Sequence, residues 1–444
     1  MKKLYTITFI IVFIFQAQSQ LAGIYTVDAS RATKKNNFNT IEEALSALTF
    51  QGLGGDVVLE IAPGVYNQAI VVEGVDSDLG YSLHIVKQAA GEVKFVNDGL
   101  SLMVSNSKNV IVSGIDFEAV STELSSMIIL SNASNIVLES NKFIVNEIHN
   151  LHKSVVFISN TSHDNTLSMN VIKGASGFEV RRLSNNNTFA SNDVSFANTG
   201  IAVLSSLGTK IEYNLFKGIL ADYKKGIVID GFVGDIAITS NAILAVNEGI
   251  SQLITYRPSD QKVSGNIINN LIESKGNTIN LNNNVEDLQI AFNSFTSKTG
   301  SVIHFTEEIE KSVSKITLFA NNLLNWTEAP IIYVASPYLI GKSDYNNIYN
   351  ENGSFYTKVG NVESKNLEGW KLTMNAKNSI SVDPMFVSFD KESYNLAENS
   401  PFSNARPPTY DIGALSILEI EQTDMAKNNV QVGAGEFKIV PFKK

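Results

Sequence analysis

Nine times between residues 117 and 323, a short β-prone run, a polar turn usually carrying Asn, and a second apolar run come round again. The units end at Phe117, Phe143, Ile172, Val194, Phe216, Ile243, Ile268, Phe295 and Leu323, at intervals of 26, 29, 22, 22, 27, 25, 27 and 28 residues. A unit of this size cannot bury its apolar side alone, so neighbouring units must stack. Two-residue alternation and β-branched runs, without a helical period, make the stack a β-solenoid.

Each coil reads as a first strand, a polar turn, a second strand, a two-residue turn and a third strand. In the coil at Met127 these strands are residues 127–130, 135–140 and 142–145. Asn141, Asn170, Asn192, Asn214, Asn241, Asn266 and Asn293 fall at the tight corner. Asn tolerates left-handed backbone angles and its amide can bond to adjacent coils, so these residues predict a stacked ladder. Binding of sugar hydroxyls is the alternative use of such amides. First strands often open on Gly, at 177, 200, 226 and 249, and alternation turns Phe178, Val180, Ile201, Val203, Ile227 and Ile229 inward. Coils near 22 residues leave room only for minimal turns, whereas longer ones carry inserts, around residues 147–153, 221–225, 255–261 and 307–314. Loops on a rigid scaffold are where function is expected.

The formal net charge of −10 argues against a general nucleic-acid binder, which needs a basic surface. The absence of Cys removes disulfides, thiolate metal sites and Cys nucleophiles together. Residues 1–19 read as a secretory signal peptide: Lys2 and Lys3, an apolar run over residues 4–15, and a small-x-small site ending at Ser19. That run is short for a membrane span. No second run of spanning length follows, so the expected product is exported, secreted or held at the cell surface, and not membrane-spanning.

Residues 20–55 read as an N-terminal cap. Thr40 and Glu43 form a capping box, and Ile41, Ala44, Leu45 and Leu48 share one face of a short amphipathic helix stopped by Gly52, Gly54 and Gly55. With the following strand and the A-P-G-x-Y turn ending at Tyr66, this block resembles the opening of right-handed parallel β-helix proteins of the pectin-lyase-like superfamily. There the helix covers the open end of the first coil, which would otherwise expose unpaired backbone and apolar core. Coils are expected over residues 56–342 and a closing segment over 343–415. That segment carries D-Y-N-N-x-Y from Asp344, D-P-x-F ending at Phe386, Ser400-Pro401 and D-I-G-A from Asp411. The order resembles the closing segment of secreted bacterial β-helix repeat proteins, although only Pro407-Pro408 precedes D-I-G-A, where relatives often have a longer linker. Residues 416–444 read as an edge strand or tail. The expected fold is all-β: one right-handed parallel β-helix with a short N-terminal capping helix.

The resemblance implies a site on the outer face of the first strands. Two outward columns there hold Glu179, Ala202, Val228, Ser251 and Asn280, then Arg181, Leu204, Asp230, Leu253 and Asn282. One Arg and two carboxylates among apolar and amide residues make a poor lyase surface, which needs Ca²⁺-binding acids or a cationic base. Glu179 and Asp230 are the weak catalytic candidates. Two coils and a strand offset separate them by about 10 Å or more, at or beyond the inverting-hydrolase range. Paired-Asp and pectinesterase motifs are absent. His149, His152 and His163 lack a fixed third ligand and read as surface residues, so no metal site or cofactor is assigned, and a Ca²⁺ requirement stays open. Arg181, Tyr223, Lys224, Lys225, Tyr256 and Arg257 are the candidate binding residues, offering rings and cations to a polysaccharide or surface glycan. The leading reading is an exported carbohydrate-interacting protein. A non-catalytic structural or adhesion module is the alternative, and a lyase or glycoside hydrolase with an unrecognised site is a second. The balance leans away from an enzyme.

Overall fold

The computed structural model describes residues 20–31, 36–77, 79–89, 91–149, 153–219, 223–252, 263–281, 285–306 and 316–385, and the backbone of 386–388, 393–396, 419–420 and 437–438. The expected signal segment, the D-I-G-A run, Ser400-Pro401, His152, Tyr256, Arg257, Leu253 and Asn282 lie outside the described residues.

The chain winds into a parallel β-helix. Second strands of successive coils stack into a fourteen-stranded sheet. First and third strands share a twenty-three-stranded sheet, because Val171–Arg181 and Asp193–Leu204 each run from a third strand through the corner into the next first strand. Among the described residues, strands of successive coils pair parallel throughout. Antiparallel pairing is confined to hairpins at the C-terminal end, such as Thr357–Val359 with Val362–Ser364.

Alternation along each strand sends every second side chain inward. Tyr66, Phe95, Phe117 and Phe143 stack with ring centroids 4.9, 5.6 and 5.5 Å apart. The column continues through Ile172, Val194, Phe216, Ile243, Ile272, Phe295, Leu323 and Ile348. All of these from Phe95 onward are buried, each worth about 1.5–3 kcal/mol relative to exposure.

The register corrects one repeat. Ile272, not Ile268, occupies the column, and Asn270, not Asn266, occupies the corner. Asn266 sits in a second strand opposite Ala237 and Gln289, with its side chain in solvent. The stretches G-N-I-I and N-N-L-I are four residues apart and locally equivalent; only pairing with the neighbouring coils selects between them.

Asn141, Asn170, Asn192, Asn214, Asn241, Asn270, Asn293, Asn321 and Asn346 form the ladder. Their conformational role differs from the expectation. The left-handed residue at each corner is the one before the Asn: Ser140, Met169, Ser191, Tyr213, Ser240, Asn269, Phe292, Ala320 and Tyr345, with φ between 54° and 58°. The Asn itself is buried and supplies the hydrogen bonds that a tight turn would otherwise orphan.

The glycines opening the first strands have a steric cause. A Cβ on Gly177, Gly200, Gly226 or Gly249 would lie 2.4–2.6 Å from the carbonyl oxygen of residue 200, 226, 249 or 278 in the following coil. The corner brings the backbones of adjacent coils too close for any side chain.

Both ends are covered. α1 (Ile41–Gln51) buries Ile41, Ala44, Leu45 and Leu48 and packs against Leu21–Val27 and Ile70–Glu73. Thr40 Oγ1 accepts from Glu43 N at 3.1 Å, while Glu43 reaches back to Asn39 N at 2.9 Å, one residue earlier than in a standard box. A second helix, unanticipated from the sequence, is α2 (Leu367–Met374), which packs against Val362–Ser364 and Ile340–Asp344 with Trp370 fully buried. The D-Y-N-N run closes the last coil. Asp344 accepts from both nitrogens of Asn378, Asn346 ends the ladder, and Asn347 bonds reciprocally with the backbone of Val382. Among the described residues no helix is long and apolar enough to cross a membrane.

Candidate functional site

The outward column of the first-strand face runs in register from Glu179 through Ala202, Val228, Ser251 and Asn280, then on to His304, Tyr333 and Lys358. Val228 and Ser251 are buried, whereas Asn280, His304, Tyr333 and Lys358 are part-exposed. Glu179 and Ala202 are part-exposed as well, so Val228 and Ser251 interrupt the open column and its second stretch begins at Asn280. Continuing the alternation two coils past Asn280, into I-H-F and I-Y-V, is the sequence signal that points to His304 and Tyr333.

A polar chain crosses these coils. Lys225 Nζ lies 3.2 Å from Glu248 Oε2, an ion pair by distance without the alignment of a hydrogen bond. Asn280 Nδ2 donates to Glu248 Oε1 at 2.9 Å. Asn280 Oδ1 is 2.9 Å from His304 Nδ1, and the imidazole packs against the Tyr333 ring at 5.0 Å between centroids. Burial pushes the His304 imidazole below the usual histidine range, and the Glu248 carboxylate offsets this only in part. Beyond Tyr333, Lys358 pairs across the terminal hairpin with Glu363 at 3.6 Å.

Beside this row, at the corners leading into the first strands, a cleft of about 290 Å³ is lined by Lys224, Asn247, Glu273, Lys275 and Lys298 among others. Asn247 Oδ1 accepts from Lys224 N at 2.9 Å, and Lys298 Nζ meets the Glu273 carboxylate at 2.6 Å. Three cations against one carboxylate concentrate positive charge here on a chain of net charge −10.

Of the residues singled out from sequence, the structure brings Lys224 and Lys225 together: one lines the cleft and the other begins the polar chain. Tyr223 stands beside them with its side chain in solvent. Arg181 lies elsewhere, paired with Glu179, which also accepts from Ser154 Oγ at 3.3 Å. Asp230 is 7% exposed, and its Oδ1 accepts from Gly231 N at 2.9 Å. Glu179 and Asp230 occupy different columns two coils apart. His163 bonds to Asp164 at 2.7 Å on the surface. Among the described residues no three His, Asp or Glu side chains converge to hold a metal ion.

No protein-family model matches this chain, and no curated protein matches it. Several solved structures are similar. Pectate lyase Pel9A has 14% identity over 90% of this chain and 97% of its own, with a TM-score of 0.43. A rhamnogalacturonan lyase has 12% identity over 89% and 97%, with a TM-score of 0.39. A mannuronic acid specific polysaccharide family 6 lyase from human gut microbiota has 12% identity over 83% and 93%, with a TM-score of 0.36. Identity and superposition at this level bear on neither substrate nor mechanism.

Proposed function

We propose that this is an exported carbohydrate-interacting β-helix that holds a glycan along the first-strand face, between Lys225 and Lys358. The observation that carries the reading is the row Glu248, Asn280, His304 and Tyr333, where carboxylate, amide, imidazole and phenol fall on consecutive coils of one rigid sheet. Sugar rings present alternating hydroxyls and apolar C–H faces. Fixed amides, an imidazole and an aromatic ring match both. Strand stacking sets about 4.8 Å between rungs, so the row can follow an extended saccharide over several residues. The lysine-lined cleft gives this face room for an anionic substituent.

The non-catalytic form of the reading is supported by the two strand carboxylates. Glu179 is engaged by Arg181, and Asp230 is buried. The test is a broad glycan array probed with and without Ca²⁺, paired with assays for new reducing ends and ultraviolet-absorbing unsaturated products. Binding without turnover is the expected result. Turnover would replace this reading with an enzymatic one, and failure to bind any glycan would remove it. Export is checked by fractionating cells that express the full chain, with release of residues 1–19 followed by mass.

A further inference from the structure

The hydrogen bonds around His304 are over-determined in a way that assigns it a role. Asn280 is oriented by a carboxylate: Glu248 accepts from its Nδ2, so its Oδ1 must face His304 as an acceptor. Asn277 is oriented by the backbone. Ser301 N donates to Asn277 Oδ1 at 2.9 Å, which leaves Asn277 Nδ2 facing the same ring nitrogen at 3.2 Å. Nδ1 thus meets one acceptor and one donor, and it cannot satisfy both. The Asn280 contact is the shorter and is polarised by Glu248, itself beside Lys225, so it decides the tautomer. With the proton on Nδ1, the lone pair belongs to Nε2. That atom makes no hydrogen bond among the described residues.

We infer that Glu248, acting through Asn280, holds the His304 proton on Nδ1, making Nε2 the acceptor for a hydroxyl of a sugar ring bound beside Tyr333. This rests on the glycan reading above and adds to it a named acceptor atom and a positioning residue. The groups facing the imidazole are Asn277 and Asn280 from one neighbouring coil, Glu248 from the coil before it, and Tyr333 from the coil after. Buried surroundings keep the ring unprotonated at neutral pH. At pH 7 Nε2 therefore accepts from the hydroxyl; once acidification places a second proton there, Nε2 becomes a donor and the hydroxyl can meet it only through its oxygen.

The test has a spectroscopic and a binding arm, both on the intact protein. Long-range ¹⁵N–¹H spectra of the five histidines, with His304 assigned by its loss in the His304→Asn variant, read the tautomer directly. An Nδ1–H signal is expected in the wild type, shifting toward Nε2–H in Asn280→Leu and in Glu248→Leu. Binding is measured by titration calorimetry with a neutral β-1,4-linked glucan hexaose and, separately, an oligogalacturonate hexamer. The two arms distinguish an uncharged from an acidic sugar as the source of the hydroxyl. His304→Asn keeps a donor at the Nδ1 position but has nothing at Nε2, so it should fold and lose at least tenfold in affinity. His304→Gln places a polar atom near Nε2 and should recover part of that loss. An Nε2–H tautomer in the wild type, or wild-type affinity in His304→Asn, would overturn this inference while leaving the glycan reading standing. A correct tautomer with no binding of either saccharide by the wild type would overturn the ligand, and a blank array besides would overturn the glycan reading.

Discussion

Asn192 Oδ1 accepts both the backbone N–H and the side-chain Nδ2 of Asn170, one coil earlier, each at 3.0 Å. Asn192 in turn donates from its own Nδ2 to Leu167 O at 2.9 Å. All of these groups are buried, so the amide completes the hydrogen bonding of a corner that water does not reach. Asn192→Leu removes these bonds; Asn170 Nδ2 keeps Leu138 O, and each group left unpaired costs about 1–3 kcal/mol. Chemical denaturation should show a lowered midpoint with the solenoid's circular dichroism retained at low denaturant. An unchanged midpoint would mean that the ladder does not contribute to stability.

Gly200→Ala probes the corner from the steric side. Its Cβ would sit 2.6 Å from Gly226 O and 2.7 Å from the Phe216 ring, and neither can yield without shifting a coil. Overpacking of this kind costs about 1–3 kcal/mol. Gly74→Ala is the informative comparison: at φ 67° it meets nothing within 4 Å, so it reports backbone strain alone. Thermal melts of the two variants should separate crowding from strain, with Gly200→Ala carrying the larger loss.

Protonation of His304 should lower stability as pH falls. Its folded pKa is depressed by burial, so below the unfolded value of about 6.5 the unfolded chain binds more protons than the folded one. The loss therefore begins near that value and continues until pH reaches the lower folded pKa. His304→Gln removes this contribution, flattening the pH dependence of the denaturation midpoint in that window. A slope identical to that of the wild type would show that His304 titrates normally.

Trp370 seals the far end. It is fully buried in α2, and its Nε1 has no hydrogen-bond partner among the described residues. The indole therefore acts through volume and apolar area. Trp370→Ala should cost about 3–5 kcal/mol and raise end-to-end association, followed by analytical ultracentrifugation. Trp370→Phe should retain most of the stability, since no N–H bond is lost.

Arg181→Ala should change stability by less than about 1 kcal/mol, because the Arg181–Glu179 pair is half-exposed on the arginine side. It also lies coils away from the Asn280–Tyr333 stretch, so glycan affinity should be unaffected. Lys225→Ala removes the cation beside Glu248 and should weaken binding instead. The reverse pattern on the array would move the site to the N-terminal half of the face.

The architecture was legible because solenoid coils are local. Phe178, Val180, Ile201, Val203, Ile227 and Ile229 point inward because strand alternation leaves no other choice, and each is fully buried. The capping helix was legible for the same reason: Thr40 and Ile41, Ala44, Leu45 and Leu48 carry its start and its face within nine residues. The second helix was not. Leu367–Met374 is short and buries only Trp370, too little periodicity to announce itself. Asn266 and Asn270 could not be told apart either, since both sit before apolar pairs and only inter-coil register distinguishes them.

The site divides along the same line. Lys224 and Lys225 stood out as a cationic pair beside Tyr223, but their partners Asn247, Glu248, Lys275 and Lys298 belong to later coils and carry no local mark. Glu248, Asn280 and His304 form one chain because coils of unequal length bring residues 24 and 32 positions apart within hydrogen-bond distance. By itself, the sequence determined a stacked β-solenoid, its inward column and its covered first end, all consequences of period and alternation. Tertiary structure alone decided the register of each insert-bearing coil, and with it which outward side chains meet. Loop length shifts a coil's residues against its neighbour without changing the pattern within the coil.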